Sequence, residues 1–275
     1  MKRFIFKNDS SLLDYSLELV DYHSGTAVVD YVSAEDSIYI GSELPFNSLF
    51  FDVSVVNAQA ATPSVSYWTG SQWAPMVDVL DETKVSGVSL AKSGYITWTT
   101  DKNSGWVRKD TDEISDLSSI TIYDLFWLKL DFSADLDATT AFSFIGPKFC
   151  SDADLTGEHT LFGNTTFKAN YESGKVDWEK EIVLASRLVV TDIKKKQAII
   201  SGDQLLDRRI LIDATVSKCA EIIFTNLGDD YENDRNNAKA EYKNRLDLPN
   251  FAVDENADGR LNDSEKGVKL GGLYR

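Results

Sequence analysis

A chain of 275 residues, 43% hydrophobic and 26% charged, has the composition of a soluble globular protein and the length for one large or two ordinary domains. Its net charge of −16 is unevenly spread: residues 1–170 carry 11 Lys/Arg against 24 Asp/Glu (−13), and residues 171–275 carry 17 against 20 (−3). So acidic a first part repels phosphate backbones and argues against specific nucleic-acid binding; no apolar run approaches the roughly 18 residues of a membrane span.

The amino-terminal MKRFIFKNDSS turns polar too early for a signal peptide, which predicts a cytoplasm-like compartment. Cys150 and Cys219 fit that expectation as reduced structural thiols. From Lys2 to about Phe149 the sequence reads as short strands: KRFIF, DYSLEL, TAVVDYV, DSIYI, SLFFDVSVV, PSVSYW, YITWTT, LFWLKLDF and TAFSFIG. Tyr15, Leu17 and Leu19 alternate with Ser16 and Glu18, and Val65 and Tyr67 alternate with Ser64 and Ser66, the period of a sheet with one wet face. Gly, Asn, Asp and Ser clusters such as Ser24-Gly25 and Thr69-Gly70-Ser71 separate the runs, and the pattern predicts an antiparallel β-sandwich or jelly roll.

Five of the six tryptophans fall between Trp68 and Trp127. Large aromatics dominate burial, so these are expected mostly in the core, although Trp73 and Trp106 are candidates for stacking on sugar rings. The stretch from Tyr67 to Leu130 runs from an aromatic strand through a Trp-Gly-type turn, an Asp-x-Thr excursion and a Ser-Gly turn to a Trp strand and a second Trp. In that order of features it resembles β-sandwich modules of virion neck and tail proteins.

Residues 150–175 have no regular period and read as an extended connection. A helix is predicted over about 176–197, with Glu179 and Glu181 near its start and Lys194, Lys195 and Lys196 near its end, a polarity that complements the helix dipole and makes the lysine run a solvated helix end. A second is predicted over 201–228, where Leu205, Ile212, Val216, Cys219 and Ile223 form an apolar stripe, Ser201 and Gln204 a capping box, and Gly228 a stop. A third, over 230–246, is capped by Asp229 with Glu232 and has only a thin stripe of Tyr231, Ala238, Tyr242 and Leu246, which places it on a rim or against another subunit.

DENADGRLNDSE, residues 254–265, fills every ligand position of an EF-hand-type loop. Asp254, Asn256 and Asp258 stand at positions 1, 3 and 5, Gly259 at the turn, Arg260 with its carbonyl at 7, Asn262 at 9 and Glu265 as the bidentate carboxylate at 12. Hard oxygen ligands at alternating places suit Ca²⁺, expected to pin the C-terminal segment; the flanks NFAV and KGVKLGGLYR do not read as helices. A dockerin-like reading is weaker because the loop occurs once. His23 and His159 lie in polar turn-like sequence and read as surface residues, no G-x-S-x-G, P-loop, G-x-G-x-x-G, C-x-x-C or H-E-x-x-H is present, and no one acidic pair stands out for glycoside chemistry, so a non-enzymatic protein is expected.

WEKEIVLASRLVVTDIKKKQ, DRRILIDATVSKCAEIIFTNL and DRNNAKAEYKNRLDL, followed by an acidic Asp-Gly loop and a tail ending LGGLYR, resemble the head-to-tail connector (adaptor) proteins of tailed bacteriophages. That resemblance covers the last hundred or so residues. It implies a small helical bundle whose copies form a ring beneath the portal, typically of twelve, and a C-terminal segment docking into the portal or a neighbour, here through Leu270, Leu273, Tyr274 and Arg275. The chain departs from the family in its added N-terminal β part.

The expectation is therefore an α+β protein with an N-terminal antiparallel β-sandwich or jelly roll over residues 1–170 and a C-terminal three-helix bundle with a calcium-type loop and extended tail over residues 171–275. As the resemblance implies, it is a virion structural protein of the head–tail junction, assembled in the host cytoplasm, with portal, tail and neck proteins and its own copies as partners, genome DNA passing without specific binding, and no membrane. The alternative is a calcium-stabilised carbohydrate-binding module or a tail or baseplate accessory protein.

Overall fold

Alternating burial builds the first part of the chain: in Pro63–Trp68, Val65 and Tyr67 are buried while Ser64 is exposed. A computed structural model describes residues 2–8, 11–20, 25–100, 105–196, 199–247, 250–251, 253–256, 258–259, 265 and 268–269. The chain divides into two compact units, Met1–Gly146 with Asn256–Arg260, and Pro147–Glu255 with Leu261–Arg275. The second unit thus starts at Pro147 and takes in residues 147–170, which the sequence grouped with the strands.

The first unit opens with β1 (Arg3–Asn8), β2 (Ser11–Asp14), the helical turn α1 (Ser16–Leu19) and β3 (Ala27–Val28). β4 (Ser37–Ser42), β5 (Ser48–Val55), β6 (Pro63–Trp68), β7 (Trp73–Pro75) and β8 (Val77–Asp81) follow. β9 (Gly94–Thr99), β10 (Arg108–Lys109), β11 (Leu125–Phe132) and β12 (Ala141–Gly146) complete its described strands. They form two antiparallel sheets, one ordered β2-β1-β4-β11-β6-β7 with β10 on β11, the other β3-β12-β5-β9-β8.

The central strand β4 is buried along its whole length. Its Ile38 and Ile40 join Phe4 and Phe6 of β1 and Leu128 and Leu130 of β11 in one large core, while Tyr39 joins Ile5 and Trp127 in a second cluster on the opposite face. Phe51 of β5 and Phe142 of β12 enter the same large core, and the Phe6 and Phe142 rings meet edge-on at 6.2 Å, so both sheets share it. The second cluster is closed by Ile114 and Leu117 from the segment between β10 and β11.

Two expected strands differ. DYSLEL turns into α1, with Leu19 fully buried and Leu17 70% exposed, because the Ser16 hydroxyl accepts the Phe4 N–H (2.9 Å) and the Asp14 carboxylate accepts the Ser16 N–H (2.9 Å). Those local side-chain bonds compete with a ladder and win. TAVVDYV is a strand only at Ala27–Val28, and Asp30 at φ +38° bends the chain away.

In the second unit the segment expected to be an extended connection is helical: α2 (Asp152–Glu158) and α3 (Thr165–Tyr171). Ser151 and Asp154 form a reciprocal capping box on α2, and the Asn164 side chain accepts the N–H groups of Thr166 and Phe167 to start α3. α4 (Glu179–Lys195) buries Ile182, Ala185, Val189 and Ile193 on one stripe. The helix expected over 201–228 is broken: Ser201 and Gln204 do form their capping box, but on a 3-10 turn, Gly202–Gln204. A second 3-10 turn, Arg208–Leu211, is capped by Asp207, and only then does α5 (Ile212–Leu227) begin, ending at Gly228 with φ +92°. Asp207 interrupts because its carboxylate offers the Arg209 N–H a partner (3.1 Å) outside the helical ladder.

α6 (Glu232–Asp247) buries just Ala238, Tyr242 and Leu246 of the expected stripe; Tyr231 is half-buried on a 3-10 turn, Asp229–Tyr231, that precedes the helix where Asp229 was expected to cap it. β13 (Asn250–Phe251) pairs antiparallel with β14 (Val268–Lys269). Trp178, Phe162, Phe167 and Phe224 anchor the main core of this unit, and Val189, Leu211, Leu246 and Val253 belong to a second. No helix among the described residues is long and apolar enough to cross a membrane.

Candidate functional site

Asp254 and Glu265, the first and last ligands expected of the acidic loop, are both buried, at 0% and 4% exposure. Gln204 fixes the first: its Nε2 donates to the Asp254 carbonyl (2.7 Å), and its own carbonyl accepts the Asp254 N–H (3.0 Å). The Glu265 carboxylate accepts the Glu255 N–H at 3.0 Å. These residues belong to the second unit.

Asn256, Asp258 and Gly259 belong to the first unit. The Asn256 side-chain oxygen accepts the Asp258 N–H (3.0 Å) in an Asx-type turn, and Gly259 holds φ +79°, where a methyl would stand 3.0 Å from Thr100 Oγ1. The turn that position 6 of a calcium loop requires is therefore present at Gly259. Arg260 and Asn262 lie outside the described residues, as do Leu270, Leu273, Tyr274 and Arg275 of the expected docking tail, and His23.

A different feature is found on the helices. α4, α5 and α6 border an open cavity of about 730 Å³, lined by five lysines, Lys195, Lys196, Lys218, Lys239 and Lys243, against three carboxylates, Asp192, Glu221 and Asp247. Tyr242 and Leu246 on its wall are buried. The Tyr242 hydroxyl donates to Asp192 at 2.9 Å, and Lys195 reaches the same carboxylate at 2.9 Å. Partial burial pushes the Asp192 carboxyl up, but hydrogen bonds from Lys195 and Tyr242 outweigh it and hold the group below the ordinary range. Burial and the adjacent Asp192 push the Tyr242 phenol well up.

Lys218 pairs with Glu221 (2.8 Å) and lies over the Tyr242 ring, 4.7 Å from its centroid, and Lys196 pairs with Asp247. Lys239 and Lys243 are exposed and have no ion pair among the described residues. Sequence reasoning placed Lys194–Lys196 at a solvated helix end and missed the cavity, since its lysines come from three helices. The one local sign was Lys239 and Lys243, four apart on α6.

Glu158, His159 and Glu241 bring one ligand atom each to within 4.8 Å of one another. Arg245 grips both Glu158 oxygens, at 2.5 Å and 3.0 Å, and donates to the Asp213 carbonyl, so a guanidinium already occupies the carboxylate a cation would need. His159, expected at the surface, is half-buried: its ring lies 5.2 Å from that of Phe162, and its Nε2, 3.9 Å from a Glu158 carboxylate oxygen, has no hydrogen-bond partner among the described residues.

Trp106 is 7% exposed, packed against Phe46, Tyr67 and Phe126, with its Nε1 donating to the Trp127 carbonyl (3.0 Å). It offers no open face to a sugar ring. Trp73 is half-buried, its Nε1 donates to Asp116 (3.1 Å), and its ring meets those of Trp68 and Tyr39. Cys150 and Cys219 are free and buried, and burial pushes the Cys150 thiol up to about 12. Compared with known proteins, the chain matches no family model, no curated protein and no solved structure.

Proposed function

We propose that this chain is a non-enzymatic structural protein of the head–tail junction of a tailed bacteriophage, its second unit forming the connector ring against the portal and its first an added module of the neck. The observation that carries the reading is the placement of the three stretches that resemble connector proteins. They fall in order on α4, α5 with its lead-in turns, and α6. In this reading the three helices act as a bundle, the two sheets of the first unit form a jelly-roll-like sandwich, and Leu270, Leu273, Tyr274 and Arg275 dock into the portal or a neighbouring copy. The protein works in the virion after assembly in the host cytoplasm, and its acidic first part keeps passing DNA from adhering.

The deciding experiment pairs negative-stain microscopy of the purified protein with co-purification on a portal ring. Rings that bind the portal, and lose it with Tyr274→Ala and Arg275→Ala, are expected; a protein that forms no ring and ignores the portal rejects the reading.

Calcium belongs to the same proposal, held by Asp254, Asn256, Asp258, the Arg260 carbonyl, Asn262 and Glu265, with the turn at Gly259 as its support. Bound to the folded state alone, it raises stability as its concentration exceeds the dissociation constant. Isothermal titration is expected to show calcium-dependent heat that Glu265→Gln removes; a flat titration of the unaltered protein rejects the site.

A further inference from the structure

Lys239 and Lys243 face one cavity from positions four apart on α6, where like charges repel along a helix. The helix dipole does not account for them, because its effect is confined to the terminal turns and Lys239 lies mid-helix. Around them the wall holds a net excess of lysine in a chain of charge −16.

The opposite end of the same helix is its complement. Asp229, Asp230, Glu232 and Asp234 are all exposed, and only Glu232 has a charge partner among the described residues, Arg235 at 3.7 Å. Tyr231 stands among them, half-buried and stacked on Phe224. Within one copy, no carboxylate of this end pairs with Lys239 or Lys243 among the described residues.

From these two ends we infer that the lysine cavity is the docking site for the acidic end of α6, residues 229–234, of a second copy of this chain. The contact is head-to-tail: each copy offers a basic cavity to one neighbour and an acidic helix start to the other, the pattern that closes into a ring or runs on as a filament. Lys239 and Lys243, exposed and without ion pairs of their own among the described residues, meet the incoming carboxylates. The inference deepens the ring reading above and rests on it by naming the surface through which copies meet.

Sedimentation velocity of the full chain tests it with two variants. Lys239→Glu/Lys243→Glu makes the cavity acidic, and Asp229→Lys/Asp230→Lys/Asp234→Lys makes the helix start basic. Each alone is expected to weaken self-association by about a hundredfold, and an equimolar mixture to restore it, because in the mixture every acidic surface again has a basic one to meet. All the substituted residues are exposed, and restoration in the mixture shows that both variants are folded. Oligomers that persist in both variants, an unaltered protein that stays monomeric at every concentration, or a mixture that fails to recover overturns the inference. Portal co-purification from the same samples separates the two proposals: portal binding by a monomer sinks the inference alone, and a cavity-dependent oligomer that ignores the portal sinks the junction reading alone.

Discussion

Gly41 shows how closely single positions in the first unit are set. It lies on β4 opposite Trp127 of the neighbouring strand β11, and a methyl built there would stand 2.8 Å from Leu125 Cδ1 and 2.9 Å from the Trp127 ring. Overpacking a close-packed site costs about 1–3 kcal/mol, so Gly41→Ala is expected to lower stability by that amount in urea unfolding with an unchanged slope. Other residue-scale features were open to sequence reasoning because they depend on local spacing: the Ser201–Gln204 capping box, the stop at Gly228, the turn at Gly259 and the alternation of Val65 and Tyr67. What Gln204 does beyond its box, holding Asp254 fifty residues away by two hydrogen bonds, leaves no trace in any local pattern.

Short helices escaped notice where long ones did not. α4 and α6 show their stripes in the sequence, whereas α2 and α3 have seven residues each, too few turns for a period to emerge. Their capping residues were nonetheless readable, Ser151 with Asp154 and Asn164 ahead of Thr165. Ser151→Ala removes the acceptor of the Asp154 N–H and is expected to cost about 1 kcal/mol. A Ser151→Thr control should keep most of that stability, and no difference between the two variants would show that the cap contributes nothing. In α5 the error ran the other way: the stripe from Leu205 to Ile223 looked continuous, and the hydrogen bonding of Asp207 set a boundary that hydrophobic spacing does not report.

Across the whole molecule, buried phenols tie each unit to a neutral state. Burial raises Tyr31 in the first unit to about 12, against the hydrogen bond with Phe132 that lowers it, and raises Tyr171 in the second to about 12, against a hydrogen bond from Asn226. A group whose folded pKa exceeds its unfolded one contributes stability that is complete below the unfolded value and is lost as pH rises through the folded value. Unfolding free energy should therefore hold up to about pH 10 and decline between roughly pH 10 and 12, with the share of the tyrosine absorbance at 295 nm that these two rings contribute rising together with loss of structure. Full ionisation near pH 10 while circular dichroism stays native would contradict the burial of these rings. The α+β class and the change from strands to helices were legible at this scale. Sheet order and the basic cavity were not, because both depend on contacts between segments far apart in the chain.

Trp178 is the one tryptophan of the second unit, fully buried with its Nε1 donating to the Phe162 carbonyl, while the other five lie in the first unit. Fluorotryptophan labelling would consequently give each unit its own resonances in one unaltered sample. A Trp178 signal that vanishes at a denaturant concentration different from the rest would mean that the helices and the sheets melt as separate bodies, and loss of all six at one concentration would make the chain a single cooperative particle.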